Sequence, residues 1–336
     1  MKYTIPKYSE DRSVDIGKEN IINLKKGKGE LQFTGAYVHL SPECNFNCSG
    51  CFTHAQSKDK TRMTLSHIQR IVDFVKDKNG KTITFAGAGE PTLDPEFNKI
   101  VNYIVGKGLQ TVLFTNLSTL KSVEQAKEYL KNGPVIGKLF TLHESKYNTI
   151  TGNSTAFKSA MNGLTLLLEA KKVLKKEGTH TTLAIDSYIS KENYEDLPGL
   201  LRFCRRNKII PYFEAFIELG QSEKLNKKLS LNEKELAHFF MRLQEIDRKE
   251  FDIKTPIHPW SRNYGQERCR KATHMFCVKE DGNVYMCVCT LRKIGNIYSK
   301  KDPYEALEEI LNIKNSALIN YLKCDHCSKR VNPKYL

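Results

Sequence analysis

The sequence predicts an α/β chain built around a parallel sheet. Two observations carry this: a strand–helix rhythm repeats six times over residues 36–217, and capping residues and glycines punctuate it where helices should start and stop. Strands are expected at 36–40, 82–86, 110–115, 137–142, 181–188 and 209–216. Thr64 caps a helix over Leu65–Lys76, whose Leu65, Ile68, Ile71, Val72 and Val75 share one face. Asp94-Pro95 opens a helix to Val105 that Gly106 and Gly108 end, and Ser122 opens one to Leu130. Ser154 or Thr155 opens a long helix through Leu164, Leu167 and Leu168, and Tyr194 begins one that reaches Arg206. Farther on, Leu229–Phe251 reads as one amphipathic helix with Ser230 and Glu233 as a capping box, followed by the rigid stretch Thr255–Trp260. Short strands Met275–Val278 and Val284–Cys287 flank a hairpin turn, Glu280-Asp281-Gly282-Asn283. The expected division is an N-terminal segment 1–35, a barrel-like core 36–217, a helical linker 218–260 and a small cysteine-bearing extension 261–336.

The 336 residues suit one large unit plus a smaller one. No apolar run reaches the roughly 18 residues of a membrane span, and Met1-Lys2-Tyr3-Thr4-Ile5-Pro6 lacks the apolar segment of a secretory signal. A cytoplasmic location is expected. In a chain of this size without a signal, ten cysteines point to metal clusters rather than disulfides. The net charge of +15 favours an anionic partner. The lysine groups at 25–28, 171–172, 175–176 and 227–228 are dispersed, as solvated faces are, so nucleic-acid binding is not inferred.

Cys44, Cys48 and Cys51 stand in one short loop, Cys44-Asn-Phe-Asn-Cys48-Ser-Gly-Cys51. Three crowded thiols cannot all pair as disulfides. They can hold three irons of a 4Fe–4S cluster and leave the fourth open. A structural zinc loop is the alternative, although zinc sites usually come as two cysteine pairs. The apolar stretch Ala36–Leu40 precedes the loop. The next strand runs into Gly87-Ala88-Gly89-Glu90-Pro91, where glycine permits close backbone approach to a ligand. Loop, strand and glycine turn together resemble the radical S-adenosylmethionine (SAM) superfamily. The resemblance implies a partial (β/α)6 TIM-like barrel, a 4Fe–4S cluster on Cys44, Cys48 and Cys51, SAM bound at its open iron, and an external reductant of flavodoxin or ferredoxin type. It also implies SAM contacts at Gly87, Gly89 and Glu90, at Asn116 after strand three, at Thr141 after strand four and at Ser187 on strand five. One departure is that Gly50 stands where many relatives carry an aromatic near the adenine of SAM; Phe52, directly after the third cysteine, is the candidate SAM contact instead.

Cys269, Cys287 and the later Cys324-Asp-His-Cys327 form a second group. Their spacing, and Ile294-Gly295-Asn296-Ile297 after the hairpin, resemble the twitch and SPASM extensions that hold auxiliary 4Fe–4S clusters. Zinc on the same four thiolates is the alternative. Cys204 reads as core filler. Cys277 and Cys289 flank the hairpin as core residues, substitute ligands or hydrogen-atom donors. The function implied is hydrogen abstraction by a 5′-deoxyadenosyl radical. The leading form is oxidation of a small-molecule or nucleotide/sugar-type substrate, with the electron passed to the auxiliary cluster. Peptide maturation by thioether crosslinking or epimerisation is the alternative within enzymes, and a metal-binding interaction protein the alternative outside them. Candidate catalytic side chains are His143, Glu144, Glu214, Cys277 and Cys289.

Overall fold

The computed structural model describes residues 19–20, 22, 23, 26, 32–53, 55, 61–216, 226–253, 274–285, 287, 288 and 293–311. Expectations placed on Cys269, Cys289, Cys324 and Cys327, and on the Thr255–Trp260 stretch, lie outside these residues.

Six parallel strands form the core: β1 Gly35–Val38, β2 Thr82–Phe85, β3 Gln110–Thr115, β4 Val135–Lys138, β5 Leu183–Ile189 and β6 Ile210–Ala215. Between them run α1 Leu65–Asp77, α2 Phe97–Gly106, α3 Val123–Asn132, α4 Glu144–Thr151, α5 Ala156–Lys176 and α6 Leu197–Arg206. Each strand pairs in parallel with the next in the chain, so every crossover advances in one direction. That winding is the one that rolls a sheet toward a barrel. The helix-facing residues, such as Ile83, Phe85, Leu113, Val135, Ile185 and Phe213, join one large core. Alternation turns Tyr37, Ala86, Met275 and Cys277 to the other face, where they form a second small cluster with Phe114 packed against it.

The sheet does not close. Its order is β6-β5-β4-β3-β2-β1-β7-β8-β9, with β7 Met275–Val278, β8 Asn283–Tyr285 and β9 Lys293–Asn296. The hairpin joins the barrel sheet: β7 runs parallel to β1, with Tyr37 opposite Cys277, and extends the sheet at its first edge. The hairpin turn is as read, with Gly282 at φ +77 and its N–H donating to the Lys279 carbonyl at 2.9 Å.

Structure and expectation differ most at three elements, while the helix expected from Tyr194 begins at Leu197. β4 starts and ends earlier, because Gly133 and Pro134 deliver the chain directly to Val135. The apolar run Leu139-Phe140 is buried as a connection, Phe140 stacking on Tyr147 at 5.8 Å. Residues 144–151, absent from the expected helices, form helix α4, ended by Gly152 in the left-handed region at φ +61. The long C-terminal helix, α8 Glu233–Phe251, follows the one-turn α7 Asn226–Leu229. Its capping box is Asn232 with Glu235, not Ser230 with Glu233. Leu231 and Leu236 are both buried at the positions of a hydrophobic staple, which fixes where the helix begins.

Candidate active site

The three cysteines lie in the loop that leaves β1 at its carboxyl end. The loop is anchored by main-chain bonds from Asn47 N to Thr151 O (2.8 Å) and from Ser49 N to Ile150 O (2.9 Å), at the end of α4. All three thiols are partly buried. Burial pushes the Cys44 thiol up to about 11, with Glu90 and Cys51 adding to the rise. Burial raises Cys48 further, and Cys51 and Cys44 add to it, so the thiols share one electrostatic neighbourhood. Among the described residues no trio of His, Cys, Asp or Glu side chains is drawn in tightly enough for a single metal ion. A cluster asks for something else, one soft thiolate per corner iron, and a loop offering only sulfur fits that demand.

The glycine turn closes against this loop. Gly89 N donates to Ser41 O at 2.9 Å and Glu90 N to Glu43 O at 2.7 Å. A Cβ on Gly89 would overlap the Glu43 carbonyl, so only glycine lets the two segments meet. Glu90 is buried and stitches the turn to the end of β3. Its carboxylate accepts from Thr92 Oγ1 (2.5 Å), Thr115 Oγ1 (2.8 Å) and Asn116 N (2.6 Å). Burial raises its pKa, and these bonds oppose the rise. Asn116 in turn donates to Asn45 Oδ1 at 2.8 Å and lies 3.9 Å from the Cys44 sulfur. Thr53 joins loop to turn: its hydroxyl donates to Ala88 O at 2.7 Å and is 3.2 Å from Cys51 Sγ.

Other expected residues fall in different places. Phe52 follows the third cysteine, half-buried. Thr141 is fully buried three residues beyond β4, its hydroxyl accepting from His143 N. Ser187 is on β5, but its hydroxyl is bonded to Asn193 Nδ2 and Tyr188 O, on the face opposite Asp186 and Tyr188. His143 and Glu144 are exposed at the start of α4, with His143 Nε2 3.8 Å from Asp196. Glu214 is buried on β6, paired in register with Tyr188. Cys287 is partly buried beyond β8, and Cys204 is buried in the helix-side core.

Residues that the sequence reading passed over also line this face. Lys138, at the end of β4, forms an ion pair with buried Asp186 on β5, and its charge reaches Cys48 and lowers the thiol pKa. Tyr188 fills the space beside Gly50: a Cβ there would collide with the phenol ring. An aromatic ring from β5 thus stands beside Gly50, the residue before the third cysteine. Period-two alternation along β5, read together with Gly50, was the signal that could have found it.

Residues 38–204 match the family model of the radical SAM superfamily. Among curated proteins, the cofactor-modifying protein of tungsten-containing aldehyde ferredoxin oxidoreductase from Pyrococcus furiosus is 28% identical over 171 residues, 50% of this chain and 47% of that protein. An S-adenosylmethionine-dependent nucleotide dehydratase from Selenomonas ruminantium is 34% identical over 84 residues, 25% of this chain and 30% of that one. The matches thus span about half, or less, of these relatives. Among solved structures, SuiB of Streptococcus suis bound to S-adenosylmethionine superposes with a TM-score of 0.64 at 18% identity, covering 84% of this chain and 68% of that one. The structure of anSMEcpe with bound AdoMet gives a TM-score of 0.63 at 18% identity, covering 84% of this chain and 81% of that one. These two likenesses are of fold. Cysteine loop, glycine turn and family match agree: residues 38–204 are a domain of the radical SAM superfamily.

Proposed function

We propose that the protein is a radical SAM enzyme that removes hydrogen from a substrate carbon and oxidises the substrate. The observation that carries this is the closure of the Cys44–Cys51 loop on the Gly87–Glu90 turn, one site made from the carboxyl ends of β1 and β2. Cys44, Cys48 and Cys51 would hold a 4Fe–4S cluster, and the turn would meet the methionine end of SAM. When bound, the two together supply a 5′-deoxyadenosyl radical. The chain's own part is to orient and to exclude water. Glu90 fixes the turn, the Asn116–Asn45 pair steadies Cys44, and Tyr188 packs the space beside Gly50. Lys138 and Asp186 offer charge to a substrate on the same side of the sheet.

A nucleotide or sugar-type substrate suits the +15 charge and the nucleotide-acting relative. Cys269, Cys287, Cys324 and Cys327 would hold an auxiliary cluster that accepts the electron left after proton loss, as in twitch-type extensions. Peptide modification is the second reading. It is favoured by the fold likeness to SuiB, which is also known bound to the precursor peptide SuiA, and to anSMEcpe bound to the Kp18Cys peptide. Product analysis with nucleotide, sugar and peptide candidates separates them. Oxidation gives a product about two mass units lighter, whereas thiol-mediated epimerisation introduces deuterium from deuterated water without that mass loss.

A further inference from the structure

His39 lies one residue past β1, almost fully buried, and the cofactor reading leaves it unused. Both ring nitrogens meet the C-terminal hairpin. Nδ1 is 3.4 Å from the Glu280 carboxylate and Nε2 is 3.7 Å from the Cys277 sulfur. The parallel seam between β1 and β7 makes this possible: Tyr37 stands opposite Cys277, and His39 N donates to Val278 O at 2.9 Å. The ring's further neighbour is the cofactor turn. A Cβ on Gly87 would stand 2.6 Å from His39 Nε2, and Gly87 sits at φ +114, so the turn rests directly on the imidazole.

The ring is buried, and its neighbour Cys277 belongs to a small buried cluster with Tyr37, Ala86 and Met275. Burying an imidazole there disfavours its charged form. The Cys277 sulfur and the Glu280 carboxylate outweigh that cost, and His39 titrates at about 10. Burial also pulls Glu280 upward, yet the adjacent His39 ring, 3.4 Å away, holds it below its ordinary value. The groups that face the ring are Cys277 on β7 and Glu280 in the hairpin turn. Lys279 and Asp281 flank Glu280, and Tyr285 on β8 feels Cys277 and Glu280. An apolar side chain would fill the same space without any of these partners. The polar arrangement therefore calls for another account, and its contact with Gly87 provides one.

We propose that His39 is a positioning residue for the cofactor turn, through which Glu280 and Cys277 of the C-terminal hairpin fix the floor under Gly87–Glu90. This rests on reading that turn as the SAM-binding turn. The hairpin then has a task apart from any auxiliary cluster: it holds the first site in shape.

The test uses the reconstituted full chain as wild type, Glu280→Gln, Cys277→Ser and His39→Gln. SAM affinity is measured from about pH 6.5 to about pH 9, spanning ordinary histidine titration. Each variant is expressed as a ratio to wild type at the same pH, which cancels the titration of SAM itself. Amide exchange at Gly89 and Glu90 is followed in the iron-free proteins. Glu280→Gln removes one of the two groups, beside Cys277, that keep the ring charged. Its affinity ratio should therefore fall about tenfold as pH rises through the window, and its Gly89 and Glu90 amides should exchange faster. Cys277→Ser should move both readouts in the same direction. His39→Gln should lower the ratio at every pH with no slope, which a purely structural defect in Glu280→Gln would not mirror. Wild-type ratios and exchange rates in Glu280→Gln and His39→Gln would overturn the proposal. If His39→Gln does not fold, Glu280→Gln, at a partly exposed carboxylate, decides alone. A wild type that binds no SAM defeats the functional reading and the proposal with it, whereas tight wild-type binding undisturbed in the variants defeats only the proposal.

Discussion

Several side chains around the cysteine loop are held by partners that the sequence does not place beside them. Glu90 is the sharpest case. Its carboxylate collects donors from its own turn and from the end of β3. Replacing it with alanine strands the Thr115 hydroxyl and the Asn116 N–H inside the protein, at about 1–3 kcal/mol for each buried donor left unmade. Glu90→Ala should therefore lower the denaturant midpoint and abolish SAM binding. Glu90→Gln, which keeps an acceptor of the same shape, should lose less of both. Gly50→Phe tests the aromatic swap. It installs the ring common in relatives but collides with Tyr188, so SAM binding should fall. Gly50→Phe combined with Tyr188→Ala should recover part of it, and no recovery would mean that Tyr188 does not take the aromatic's role. The residue types and spacing of the cysteine loop and glycine turn were legible because covalent sequence neighbours build them. Lys138, Asp186 and Tyr188 were not, since strand pairing alone brings them to the loop.

At the scale of elements, periodicity and caps located most helices, including α1 behind Thr64 and α3 behind Ser122, whose hydroxyl accepts from Gln125 N at 3.1 Å. β4 was misplaced because an apolar run reads alike whether it is a strand or a buried connection. Helix α4 was missed because its last turn, Asn148-Thr149-Ile150-Thr151, has low helix propensity, and tertiary contacts such as Tyr147 Oη donating to Lys138 O hold it. α6 and α8 are joined by a buried ion pair in which Arg205 Nε and Nη2 reach Asp247 at 2.8 and 2.6 Å. Arg205→Met removes the bidentate partner of a buried carboxylate and should cost about 3–5 kcal/mol in unfolding experiments. The β1–β7 seam makes stability pH-dependent. His39 has its pKa raised in the folded chain, so its contribution is fully present below about 6.5 and is lost as pH climbs through about 10. Thermal melts of wild type should decline over that window. Those of His39→Gln should decline less, and parallel curves would remove the seam's role.

For the whole molecule, the alternation of strands and helices announced a parallel sheet, but not that the sheet stays open with its first edge covered by the C-terminal hairpin. Strand order across some 240 residues depends on which edge is left unpaired, and local pattern does not record that. The proposed inventory of two 4Fe–4S clusters predicts about eight irons per reconstituted chain and about four after Cys44, Cys48 and Cys51 are all changed to alanine. Zinc in place of the residual iron would make the second cysteine group structural. The central claim is that the loop after β1 and the turn after β2 together perform reductive SAM cleavage. Its most direct test is 5′-deoxyadenosine formation by anaerobically reconstituted protein with SAM and a strong one-electron reductant. The account predicts 5′-deoxyadenosine from wild type and none from Cys48→Ala. Equal product from both, or none from an iron-loaded wild type, would contradict it.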